Sequence, residues 1–128
     1  MKRVNIDTNI LARYLMEDDE RLFKKTVKLF EEAEEGKYEI YIDEVVLAET
    51  IWLLYKHYGV ERRKLAELLG ELVILDWIFN PRKDIILSSL SMFGASNMSF
   101  VDCWIAELSR KEKVELRTFD EKLRKKTS

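Results

Sequence analysis

The feature that most constrains this chain is a repeated order: a short apolar strand, then at once an acidic helix start. Lys2 to Ile6 alternates polar and apolar residues and runs into Asp7-Thr8-Asn9, and Tyr38-Glu39-Ile40-Tyr41-Ile42 runs into Asp43-Glu44. Two more stretches, Val73-Ile74-Leu75 and Val114-Glu115-Leu116-Arg117-Thr118, read as a third and a fourth strand. Between them lie segments with apolar residues at helical spacing. One continues from the first strand to Met16, and one starts at Glu17-Asp18-Asp19 and stops at Gly36. A third runs from Asp43 to Gly59, and a fourth covers 62–72. The next opens on Asn80-Pro81, read as N-cap and first helical residue, and ends near Gly94. Helices over 100–108 and 119–124 close the chain. Strands alternating with helices predict an α/β fold, a parallel sheet with helices on both faces, in one domain over 1–128. Such sheets bind ligands beyond the carboxyl ends of their strands.

Composition excludes several chemistries. His57 is the only histidine, so a histidine-rich metal site within one chain is out; at the end of its helix it reads as a residue favoured by the dipole. Cys103 is the only cysteine and has no disulfide partner in the chain. None of the 4 glycines builds a phosphate-binding loop. No apolar run reaches membrane-span length and the start lacks a signal peptide's apolar centre, so a soluble cytoplasmic protein is expected. The net charge of −2 does not suggest a general nucleic-acid coat. Local basic clusters such as Arg62-Arg63-Lys64 read first as solvated helix faces.

What remains in quantity is carboxylate. Glu49 lies in the run Val45-Val46-Leu47-Ala48-Glu49-Thr50-Ile51-Trp52-Leu53-Leu54-Tyr55, with Val45, Val46, Trp52 and Leu53 as helical neighbours. The expectation is a carboxylate on an apolar, buried face, tolerated only with a partner: a cation, or a basic side chain such as Arg13. Asp7 follows the first strand, Asp120 the last, and Asp102 begins a helix after a loop. Each aspartate also reads as a simple helix cap, with Ser99-x-x-Asp102 resembling a capping box and Thr118-x-x-Glu121 fitting one. If the four acids converge, two carboxylates about 4 Å apart repel by roughly 4 kcal/mol at an effective dielectric near 20. Hard oxygen donors without histidine or thiolate then favour Mg²⁺ or Mn²⁺, and phosphoryl hydrolysis by a metal-activated water.

These residues together resemble the PIN-domain family of metal-dependent ribonucleases, in particular its VapC-type toxins. The resemblance rests on Val4-Asn5-Ile6-Asp7-Thr8-Asn9-Ile10-Leu11, on Glu49 in the helix after the second strand, on Ser99-Phe100-Val101-Asp102, and on Thr118-Phe119-Asp120. It implies a three-layer α/β/α fold with a short parallel sheet of four or five strands. The chain ends soon after Asp120, which puts a fifth in doubt. It implies an acidic quartet of Asp7, Glu49, Asp102 and Asp120, with Asp7 and Asp102 as the main metal ligands and the other two completing the shell directly or through water. Asn9, Ser99 and Thr118 would orient carboxylates or RNA. The implied activity is Mg²⁺- or Mn²⁺-dependent cleavage of RNA to a 5′-phosphate and a 3′-hydroxyl. The implied partners are a small antitoxin protein and a second copy of the chain, with no membrane.

Two other readings stand beside it. An inactive PIN-like module would keep the fold and bind RNA or a partner helix. An aspartate-based phosphotransfer domain would also place an aspartate after a strand. Phosphatases of that kind need Asp-x-Asp where this chain has Asp7-Thr8-Asn9, and the reading leaves Glu49 unexplained.

Overall fold

The computed structural model describes residues 1–127. The elements run β1 (Arg3–Asn5), α1 (Thr8–Met16), α2 (Glu20–Glu34), β2 (Glu39–Tyr41), α3 (Glu44–Trp52), a π-helical turn (Leu53–His57), α4 (Arg62–Val73), β3 (Ile78–Phe79), α5 (Lys83–Ala95), α6 (Phe100–Glu112) and α7 (Glu121–Thr127). All pairing is parallel, in the order β1-β2-β3. Parallel neighbours need a long crossover, and helices supply both. In register, Val4 stands beside Ile40 and Ile40 beside Ile78; Ile40 and Ile78 are fully buried. The next residues along, Asn5, Tyr41 and Phe79, point to the other face, where Tyr41 and Phe79 are half-buried in ring contact.

The expected α/β class with a short parallel sheet holds, but the strand count does not. Among the described residues the sheet has three strands rather than four or five. Val73-Ile74-Leu75 is the end of α4 and its following turn: Ile74 N–H bonds to the Gly70 carbonyl and Leu75 N–H to that of Leu72. The third strand lies three residues later, at Ile78–Phe79. Val114 to Thr118 forms no strand; Val114 N–H returns to the Ser109 carbonyl, closing α6, and Val114 stays exposed. An apolar run of three to five residues does not by itself separate a strand from a helix end.

Asn80 does not cap a helix at Pro81. Its buried amide donates to the Ile42 carbonyl at 2.8 Å and to Glu44 Oε1 at 2.6 Å, while its Oδ1 accepts from Arg82 N–H at 2.7 Å. This Asx turn ties the end of β3 to the end of β2, and α5 begins only at Lys83. Asn80→Ala leaves the Ile42 carbonyl unpaired in a buried place, and we expect it to cost about 2 kcal/mol, read as a lower urea midpoint with an unchanged slope.

The core gathers Leu11 from α1, Phe30 and Ala33 from α2, Leu47, Ile51 and Leu54 from α3 and its π turn, Leu65 and Leu69 from α4, and Ile86 and Leu90 from α5. α4 and α5 come close because Gly94 has no side chain: a Cβ there would stand 3.1 Å from the Ala66 Cβ. Gly94→Val should wedge these helices apart and lower stability by about 1–3 kcal/mol, visible in thermal melting.

Candidate active site

Asp7 lies two residues past β1 and caps α1: its Oδ1 accepts from Ile10 N–H at 3.0 Å, and its other oxygen makes no hydrogen bond among the described residues. The strand's extended backbone carries straight into the cap, so the local sequence alone directs this carboxylate to the carboxyl edge of the sheet. The next residue, Thr8, donates its hydroxyl to Glu49 Oε1. That bond spans 41 positions and joins the start of α1 to the second turn of α3. Thr8 was not among the supporting residues expected from sequence. The Asp-Thr-Asn block contains it, but only the packing of α1 on α3 shows where its hydroxyl points.

The buried Glu49 expected from the apolar run is not found: Glu49 is exposed. The run is apolar nearly all round, so it does not mark its own inner face; Leu47, Thr50 and Ile51 are the buried residues of α3. Val45, Glu49 and Trp52 share the outer face, with Val45 75% and Trp52 61% exposed. Arg13 is not Glu49's partner, since it pairs with Asp18 at 2.9 Å.

Asp102 sits in the first turn of α6, half-buried, and its N–H bonds to Ser99 Oγ at 3.1 Å. Ser99 is therefore the N-cap, and the Asp102 carboxylate makes no hydrogen bond among the described residues. Asp120 is exposed and caps α7, its Oδ1 accepting from Lys122 N–H at 2.9 Å and Leu123 N–H at 3.2 Å. Thr118 does not form a capping box with Glu121; its hydroxyl accepts from Asp120 N–H at 3.0 Å, and Glu121 pairs with Arg124. Asn9 is exposed without a side-chain hydrogen bond among the described residues.

The helices bearing these acids form a chain of packed neighbours: α1 on α3, α3 on α6, α6 on α7. Thr8, the residue after Asp7, bonds to Glu49. Asp102 lies on α6, which packs against α3, and Asp120 at the start of α7, which packs against α6. No hydrogen bond joins any two of the four acids among the described residues. Among the described residues, no three of histidine, cysteine, aspartate and glutamate stand close enough to hold an ion as a protein cage. The donor chemistry still fits a hard divalent cation. Mg²⁺ is typically held by one or two carboxylates with waters and substrate phosphate, and Asp7 and Asp102 each keep carboxylate oxygens free for that.

One buried charged group outside the quartet was missed in the sequence. Glu107 on α6 is buried and held by the Arg110 guanidinium at 2.6 and 3.0 Å, which raises the Arg110 pKa. Its partner three positions on was the available signal. Cys103, next to Asp102, is fully buried, and burial pushes its thiol pKa up.

A parallel sheet with acidic helix starts at its carboxyl edge defines the class, and a family model described as PIN domain matches residues 4–127; the chain belongs to that family. A curated relative, a VapC ribonuclease of Aquifex aeolicus (strain VF5), is 25% identical over 99 residues, covering 77% of this chain and 72% of that protein. No solved structure gives a significant match. No helix of the described residues is long and apolar enough to cross a membrane.

Proposed function

We propose that this PIN-domain protein is a Mg²⁺- or Mn²⁺-dependent endoribonuclease, acting in the cytoplasm as the toxin of a toxin–antitoxin pair. The observation that carries most weight is the Thr8–Glu49 hydrogen bond, which ties the residue beside Asp7 to a carboxylate 41 positions further along the chain. The relative named a ribonuclease supports the substrate class. Asp7 and Asp102 would hold the cation, with Glu49 and Asp120 completing the shell directly or through water. When bound, the cation supplies a water of lowered pKa and positive charge opposite the scissile phosphate. The chain's own groups do the positioning. Thr8 fixes the Glu49 carboxylate, the cap bond to Ile10 fixes Asp7, and Ser99 fixes the first turn of α6 beneath Asp102.

The test is incubation of the purified protein with single-stranded and structured RNAs. Cleavage is expected with Mg²⁺ or Mn²⁺, to 5′-phosphate ends, and is expected to stop with chelator and return when the metal is restored. Cleavage that continues in chelator contradicts the mechanism. A short neighbouring reading frame for a DNA-binding protein supports the toxin assignment, and sedimentation tests the homodimer.

A further inference from the structure

Trp52 is an anomaly on α3. A side chain of this size has a large apolar area to bury, yet it is 61% exposed, while Phe93 lies in the core and Tyr55 and Trp77 pack against it. It forms one wall of a groove between α3 and the start of α6, a cavity of about 230 Å³ whose lining includes Ile51, Phe93, Phe100 and Val101. None of the four acids lines this groove, but its lining includes Ala48 and Trp52, one and three positions from Glu49 on α3, and Ser99 and Val101, three and one before Asp102 on α6. Its volume lies below the roughly 300–1,000 Å³ of small-molecule sites and suits a single flat ring system.

Charge identifies the occupant. The groove shares Tyr55, Lys56 and Arg62 with a wider trough of about 610 Å³ that continues past the π turn. The trough carries Lys56, Arg62 and Arg63 against one carboxylate, Glu61. Lys56 is exposed, leans over the Tyr55 ring and forms no salt bridge among the described residues. Arg62 lies on the Phe93 ring and donates to the Phe93 and Met98 carbonyls, which holds the guanidinium at the groove wall. An aromatic platform leading into a basic trough is the arrangement that binds single strands, stacking a base and tracking its phosphates. The irregular turn at Leu53–His57 has a place in this: π-helical turns cluster at functional sites, and this one carries Tyr55 and Lys56 at the junction of groove and trough.

We propose that the α3–α6 groove binds one unpaired nucleobase of the RNA beside the scissile phosphodiester, stacked on Trp52, with the adjoining backbone running over Lys56 and Arg63. This rests on the ribonuclease reading. It adds a stacking contact from Trp52 to one unpaired base, a contact that tolerates any base.

Binding of short adenine and uridine homopolymer RNAs, with chelator present so that cleavage is silent, separates the two. Trp52→Ala is expected to weaken binding about tenfold, and Trp52→Phe to restore most of it. Lys56→Ala is expected to flatten the salt dependence by roughly 0.7 in logarithmic slope. Trp52 is exposed, so unchanged melting of each variant checks that the fold is intact. RNA binding by Trp52→Ala equal to the parent's overturns the base subsite, whether or not the nuclease stands. If that variant instead loses dimer mass in sedimentation while holding RNA as before, the groove belongs to a second copy and the subsite is overturned. A parent that binds RNA through Trp52 and never cuts it with Mg²⁺ ends the nuclease reading alone. A parent that binds no RNA in chelator overturns the base subsite and leaves the nuclease reading to the cleavage assay with metal.

Discussion

Asp7→Asn is expected to lower Mg²⁺-dependent RNA cleavage by about a thousandfold and leave the melting temperature nearly unchanged. The size follows from the proposed role of Asp7 as a metal ligand: the cation's stabilisation of charge at the phosphate is worth several kcal/mol, at 1.36 kcal/mol per tenfold in rate. Preservation of the fold follows from the cap. Asn accepts a backbone N–H as well as Asp does, so the bond to Ile10 that starts α1 survives. Asp102→Asn should act alike, since no hydrogen bond of the fold uses its carboxylate among the described residues. Cleavage rates on one RNA, beside circular dichroism melts, are the measurement. A variant that cuts at the parent's rate removes Asp7 from the site; one that unfolds shows that its charge, not just its oxygen, supports the fold.

The second large effect is on stability. Leu47→Ala empties a fully buried position on the inner face of α3, and we expect a loss of about 2–5 kcal/mol. Val45→Ala, two residues away on the outer face and 75% exposed, should stay within about 0.5 kcal/mol. Urea melts of the pair test which face of α3 is inside. Equal losses would reverse the orientation that places Glu49 and Trp52 on the surface.

The contrast on α3 shows where the sequence stopped being legible. A helix with apolar residues on all sides has little amphipathic signal, so Glu49 looked buried when it is held at the surface by Thr8. Trp52 lies on the same outer face of α3 and is 61% exposed. At Val114–Thr118 the error was of another kind. The alternating pattern fits a strand, but a strand exists only where another lies beside it, and Val114 to Thr118 form no such pairing among the described residues. Asp120 is nevertheless placed at a helix start, because its own side chain caps α7.

Local chemistry determined a good deal by itself. The strand-to-cap junctions at Asp7 and Asp43, the Ser99 cap before Asp102, the Gly59 stop (φ +67) and the parallel α/β class all follow from bonds within a few residues and from side-chain periodicity. Only the tertiary structure decided which face of α3 is solvent, that Thr8 reaches Glu49, that Asn80 clamps β2 to β3, and that Trp52 opens onto a basic trough. These depend on contacts tens of residues apart in sequence, whose energies arise only when whole helices pack, and no short stretch of the chain carries them.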